Sequence, residues 1–467
     1  MKKISVKGAL TVLIIILFST SVSGKGLLFE KSEYTSRREK LMKTIPDGIA
    51  IILGSQHITG YDEYFQNNDF VYFTGVEIPN AILIIDGIRK ESILFFTISE
   101  REARGEGISL DLVKKPKEYT GIEKVYSYEQ FSSYLYRLSS RVEVFYTSFI
   151  PEELIRECSR EKLNILRNNM MLNDWDGRLT RELQFVKLLK ERLPQVKVED
   201  CSKMIESLRI IKSPAEIVLL RKAGNIGVKA HTEMIKATRA GIYEYEIASL
   251  FEYMCKKEGA RDLAYNVIIS SAGNHPYLHY YKHDRLLEDG DFLVVDAGPD
   301  LCYYDVDISI SYPANGKFTP RQREIYEACN EIQKACFKFY KPGITPAEIG
   351  KMAKELLIKK GYDLSKDVFQ VMMRHLNNGG VSHYVGMAVH DIGGAPREPL
   401  KTGMVIALDI YAVFPSEDLG VRVEDTVVIT EDGCENLTHG IPREINEIEA
   451  LMKNKGIIQI LKEKELY

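Results

Sequence analysis

The residues best placed to do chemistry lie in the second half of the 467-residue chain, and the densest group is in Phe292–Tyr312, FLVVDAGPDLCYYDVDISISY. The apolar run Phe292–Val295 follows the turn-rich Glu288-Asp289-Gly290-Asp291, which predicts a buried strand ending on Asp296. After Ala297-Gly298-Pro299 the chain reverses. Val306, Ile308 and Ile310 then alternate with Asp305, Asp307, Ser309 and Ser311, predicting a returning strand with one apolar and one polar face. Asp296 and Asp307 thus face each other across a predicted hairpin. A buried carboxylate without a partner is costly, so this face is either solvated or holds a hard cation.

Further candidates follow downstream. Six of the nine histidines fall between His275 and His390. His383 and His390 share the segment Ser382-His383-Tyr384-Val385-Gly386-Met387-Ala388-Val389-His390-Asp391. Gly403–Leu408 reads as an apolar strand ending on Asp409, and Val421–Asp425 as a strand whose polar face carries Arg422 and Glu424. Taken singly, each has an ordinary explanation: a strand-end aspartate caps a turn, and a lone histidine is a satisfied core group. Together, in this order, they are hard to dismiss.

The elements that must position this set are legible in outline. Ser36–Ile45 is a predicted helix, and apolar runs at Ile49–Leu53, Phe70–Thr74, Ala81–Ile85 and Ser92–Ile98 are broken by Gly, Pro, Asn and Asp. Strand and helix patterns alternate to about Cys201, giving an amino-terminal α/β domain over 25–205 with no catalytic signal of its own. At Ser213-Pro214-Ala215-Glu216, Ser213 can cap, Pro214 fits the first helical position and Glu216 completes a capping box. A long helix is predicted from there, a second over Glu244–Lys257, and a surface helix over Glu444–Tyr467. The second domain spans 206–467.

Composition sets the class. Hydrophobic residues at 45% and charged residues at 27% describe an ordinary folded protein, and a net charge of −4 without a long basic run gives no case for nucleic-acid binding. Lys2, Lys3 and Lys7 precede the apolar run Ala9–Phe18 and the small residues Ser19–Gly24, as in a signal peptide over 1–24 cleaved near Ser23. Its removal takes three lysines and moves the charge from −4 to −7. The expected protein is exported, periplasmic or secreted, with an uncleaved membrane anchor as the alternative. No cysteine lies near the cleavage site to carry a lipid. The seven cysteines are scattered and without metal-type spacing, so most are expected free and buried.

With these motifs in order, the chain resembles the metallopeptidases of the pita-bread fold, which include aminopeptidase P, Xaa-Pro dipeptidase and methionine aminopeptidase. Phe70-Val71-Tyr72-Phe73-Thr74-Gly75 resembles the amino-terminal domain of aminopeptidase P, and Ile211–Glu216 its linker. Leu278-His279-Tyr280, Val295-Asp296-Ala297-Gly298 and Asn315–Arg323 resemble the catalytic domain. The fold class implied is α/β (α+β): an amino-terminal α/β domain followed by a pita-bread domain with a curved, mainly antiparallel sheet covered by helices.

The resemblance implies two divalent metal ions held by Asp296, Asp307, His383, Asp409 and Glu424. Oxygen-rich ligation with one imidazole favours Mn(II), with Zn(II) or Co(II) as alternatives. It assigns His279 and His390 to substrate and intermediate, Asp409 to the general-base position, and Arg422 to support of the acids. The activity implied is release of the first residue of peptides with proline at position two, by a metal-activated water. An Xaa-Pro dipeptidase is the alternative. Homodimers or higher homo-oligomers are expected, with no stable membrane partner once the signal is removed.

Two departures motivate a reading of another class, a weakly active or inactive peptide-binding homologue. Where the family places Glu followed by Pro-Gly, this chain has Asp409-Ile410-Tyr411, one methylene shorter. Four residues before His383, where aminopeptidase P carries a histidine, stands Gly379. His375 substitutes only if the glycines fold back, and His275 and His283 are expected at the surface.

Overall fold

The computed structural model describes residues 26–56, 63–173, 175 and 177–464. The predicted signal segment lies outside them. Among the described residues, no helix is long and apolar enough to cross a membrane.

Two sheets organise the molecule. The first runs β4 (Lys124–Tyr126), β3 (Glu91–Phe95), β2 (Ile82–Asp86), β1 (Gly48–Leu53), β5 (Val144–Thr147) and β6 (Lys197–Asp200), with mixed parallel and antiparallel pairing. The central strands Gly-Ile-Ala-Ile-Ile-Leu and Ile-Leu-Ile-Ile-Asp are buried along their whole length, which is why they read as continuous apolar runs rather than alternations. Phe70–Thr74, equally apolar, is instead part of a helix, Asn68–Thr74, capped by the Asn67 side chain and closed by left-handed Gly75. Run length alone does not separate a buried strand from a buried helix.

The second sheet is the curved, antiparallel one the resemblance implies. Its order is β12 (Val381–Tyr384), β13 (Val405–Phe414), β14 (Leu419–Ile429), β11 (Ser309–Pro313), β9 (Phe292–Asp296) and β8 (Ile268–Ser271), with β15 (Cys434–Asn436) also paired to β14. A two-stranded ribbon of β7 (Asp262–Leu263) and β10 (Pro299–Asp300) sits beside it. The helices Pro214–Ala237 and Glu244–Lys257 form as expected, the first with its full capping box between Ser213 and Glu216. His231 on the first helix meets the Ala297 carbonyl at 2.9 Å, tying that helix to the turn behind Asp296.

Three expectations are corrected. β13 does not end at Asp409 but runs through it to Phe414, because β14 pairs with it over its full length. The returning strand starts at Ser309, and Asp305, Asp307, Ser309 and Ser311 are as buried as Val306 and Ile308, so this face is not solvated. The tail forms two short helices, Ile445–Leu451 and Ile457–Glu463, that bury Ile445, Ile448 and Ile458 against the core rather than one surface helix.

The two sheets are joined through buried charge. The Arg209 guanidinium reaches Asp69 (2.8 Å), Glu153 (2.6 Å) and Asp391 (2.7 Å), while Lys212 takes the other Asp391 oxygen at 2.9 Å. Glu153 also accepts the Ser159 amide at 3.0 Å, at the start of the helix Ser159–Leu172. One network therefore fixes that helix and the loop carrying His390 to each other.

Candidate metal centre

Strand register builds the centre. Asp296 on β9 pairs with Ser309 on β11, Ser309 with Glu424 on β14, and Glu424 with Asp409 on β13. Three acids and a serine thus form one row across four strands, at a strand spacing of about 4.8 Å. Ser309 Oγ donates to Glu424 Oε2 at 2.9 Å. Asp307 enters from the irregular segment ahead of β11, where the Thr426 hydroxyl accepts its amide (2.8 Å) and donates to its carbonyl (2.9 Å). Gly298 permits the approach: a Cβ there would lie 1.8 Å from the Val306 carbonyl oxygen.

One oxygen from each of Asp296, Asp307 and Glu424 converges within 4.8 Å, and all three groups are buried. His383 on β12 brings Nε2 to 3.4 Å from Asp307 Oδ2 and 3.7 Å from Glu424 Oε1. Neither His383 Nε2 nor Glu424 Oε1 has a hydrogen-bond partner. Buried polar atoms are rarely left so; a hard oxygen cluster with one open imidazole nitrogen fits a divalent ion.

The electrostatics fit as well. Burial, then the charges of Asp307 and Asp409, push Glu424 up to about 8, and burial outweighs Arg422 to bring Asp296 to about 7. Burial would raise Asp307 too, but His383 and Arg422 hold it at about 2. Burial would lower His383, yet Asp307 and Glu424 carry it to about 10. This is the pattern of a ligand set that keeps protons in place of a cation.

Asp409 behaves differently. Its two oxygens accept from Arg422 Nε (3.3 Å) and Nη2 (3.1 Å), and they are not among the converging oxygens. Arg422 also pairs with Asp296 and lies 3.5 Å from Glu424. The guanidinium thus serves the acids, as the resemblance implies, and holds the shortened residue away from the cluster.

Above the acids lies a cavity of about 310 Å³, with Tyr265, His279, Arg422 and His390 in its wall. The rings of His383 and His390 are 4.2 Å apart. Tyr265 was not anticipated. Its hydroxyl reaches Asp296 Oδ1 at 2.6 Å and also Asp307, and with one proton it donates to one of them at a time. Nor were Arg156, Cys158 and Glu161, which line the cavity from a region with no catalytic signal of its own; Glu161 contacts His390 Nδ1. A single Glu in a charged helix gives no sequence signal for such a role.

The spare histidines resolve clearly. His275 is buried, not at the surface: its ring nitrogens meet the Phe292 carbonyl (3.0 Å) and Ser270 Oγ (3.2 Å), and burial lowers it to about 4. His283 is half-buried. Gly379 cannot be replaced by a side chain in place, since φ is +68° and a Cβ would lie 2.3 Å from the Pro346 carbonyl oxygen. His375 does not fold toward His383; it stacks edge-on against Tyr411 at 4.6 Å.

Comparison with known proteins bears on this geometry. Residues 34–146 match the family described as aminopeptidase P, N-terminal domain, and residues 218–431 match metallopeptidase family M24. The Xaa-Pro aminopeptidase of Escherichia coli (strain K12) is 31% identical over 454 residues, covering 90% of this chain and 98% of its own. The chain belongs to metallopeptidase family M24. It is a metallo-exopeptidase of the aminopeptidase P type. Xaa-Pro aminopeptidase 3 of Homo sapiens is 28% identical over 466 residues, with 90% and 85% covered. Among solved structures, proline aminopeptidase P II from Yersinia pestis aligns with a TM-score of 0.74 at 27% identity over 91% of this chain and all of that one. A zinc-substituted E. coli aminopeptidase P in complex with product gives 0.72 at 28%, over 91% and 98%. The M24 membership implies divalent ions, and the orphaned His383 and Glu424 atoms agree with it.

Proposed function

We propose that the protein is an exported Xaa-Pro aminopeptidase that uses two divalent ions, Mn(II) by preference, to release the residue ahead of a proline. The observation that carries this reading is the buried row Asp296, Ser309, Glu424, Asp409 with His383 and Asp307 closing over it at the floor of a cavity. Asp296, Asp307 and Glu424 would hold one ion; Asp307, His383 and Glu424, with Asp409, the other. Ions bound there would acidify a water and stabilise charge on the scissile carbonyl.

The chain's own residues do the rest. His279 and His390, in the cavity wall, offer imidazole groups to the peptide, with Glu161 fixing which His390 nitrogen faces inward. Arg422 orients Asp296 and Asp409, and Tyr265 places its hydroxyl between the first pair of acids. Proline preference is supported by the relatives named Xaa-Pro aminopeptidase. Export is supported by the lysine-flanked apolar run ahead of Gly24.

A second reading has one observation in its favour: with both Asp409 oxygens on Arg422, one ion site lacks a ligand, and the protein then binds peptides or cleaves them slowly. Hydrolysis of an Xaa-Pro-Xaa tripeptide by the protein and its Asp296→Ala variant separates the two. Release of the first residue, lost in the variant and in chelator, supports the aminopeptidase; no release from either supports the binding protein.

A further inference from the structure

A second group of metal-ligating side chains stands at the cavity wall and shares His390 with the acid row, since His390 also comes within 4.8 Å of donor atoms of Asp307 and His383. Cys158, Glu161 and His390 bring one donor atom each to within 4.8 Å of one another. Cys158 caps the helix Ser159–Leu172, Glu161 lies in its first turn, and His390 comes from the loop after β12. Cys158 and Glu161 belong only to this group, so a sulfur signal reports on it alone.

The group is built, not incidental. Cys158 packs against Ala264, Ala388 and Val389 and is buried. Glu153 sits under both sides at once: it accepts the Ser159 amide next to Cys158 and pairs with Arg209, which holds Asp391 next to His390. Glu161 already contacts His390 Nδ1. Cys302 and Cys434, the two half-buried cysteines, belong to no such group among the described residues.

We propose that Cys158, Glu161 and His390 form a further cation site at the mouth of the cavity, selective for a thiophilic divalent ion of the zinc and cadmium class. Thiolate with imidazole and carboxylate is a ligand set for such ions and a poor one for Mn(II), which prefers oxygen. Three protein donors leave the fourth tetrahedral position to water or substrate. Forming the sulfur–metal bond releases the thiol proton to solvent, with no change in oxidation state. An ion held there engages His390 and stands in the path to the acids, so it lowers peptide turnover. That consequence rests on the aminopeptidase reading; the binding itself does not.

The test is a Cd(II) titration of the Mn(II)-loaded full chain, read by the ultraviolet sulfur-to-cadmium charge-transfer band, which ligands of the acid row cannot give. The expected result is one saturable band per chain, absent in Cys158→Ser and shifted to about tenfold or more weaker Cd(II) affinity in Glu161→Gln. Cys158→Ser should keep its Mn(II) content and, measured against its own cadmium-free rate, should lose inhibition by Cd(II). Glu161→Gln, at an exposed position, guards against a folding defect in the cysteine variant. A band of equal strength in Cys158→Ser, or none in the natural protein, overturns the proposal. A band in a preparation that hydrolyses nothing supports the site and counts only against the aminopeptidase reading.

Discussion

Replacing Asp409 by glutamate adds one carbon–carbon bond to a buried carboxylate, moving it by up to about 1.5 Å. That reach is large beside a metal–oxygen bond of about 2.1 Å. In the present structure Asp409 is held on Arg422 at 3.1 and 3.3 Å, opposite Glu424 in the strand register. The longer residue can leave the guanidinium, which keeps Asp296, and join Glu424 and His383 as a ligand. The expected gain in affinity for the weaker ion is about ten- to a hundredfold, or about 1.4–2.8 kcal/mol. Turnover should rise by about a hundredfold, the usual effect of a 1 Å correction in position. Opposing this, an extra methylene in a packed site strains the fold by about 1–3 kcal/mol, so Asp409→Glu should melt lower in the metal-free state. Calorimetric titration of the stripped protein with Mn(II), beside initial rates on an Xaa-Pro peptide, reads both effects. A folded variant that binds Mn(II) no more tightly and works no faster would refute the account of Asp409.

Other predictions follow from neighbouring contacts. Tyr265→Phe removes the hydroxyl shared by Asp296 and Asp307 and should destabilise the metal-free protein by about 1–3 kcal/mol, with a smaller loss in Mn(II), as denaturant curves with and without metal would show. Arg209→Met leaves Asp69, Glu153 and Asp391 without their shared cation and should lower stability by about 3–5 kcal/mol in urea unfolding. His383 is raised to about 10, so the stability its charge confers on the metal-free protein is full below 6.5 and lost as pH rises through 10. Mn(II) must displace that proton and the one on Glu424, so its affinity should climb between pH 6.5 and 9, with protons released on binding. Chelator competition at three pH values checks this.

What the sequence disclosed depended on whether the signal was local. The capping box at Ser213–Glu216 and the strand leading to Asp296 are written within a few residues, and both formed as read. The ligand row is not local: Asp296, Glu424 and Asp409 meet through the register of four strands, which no single segment encodes. Only a resemblance spanning the whole order of motifs could group them in advance. Asp409 looked like a strand end because a charged residue breaks the apolar run that precedes it, yet long pairing with β14 carries the strand on to Phe414. His275 looked superficial in a polar loop, but the Phe292 carbonyl draws it inside. Cys158 and Glu161 reach the cavity from segments whose neighbours give no hint of it, because their placement depends on how the two sheets dock through Arg209, and Tyr265 reaches it from just after the short β7 ribbon.

The most direct test combines metal content and hydrolysis on one preparation of the protein, with and without added Mn(II). Two ions per chain, with metal-dependent release of the residue ahead of proline, is the predicted result. One ion or none, with no hydrolysis at any Mn(II) concentration, would contradict it.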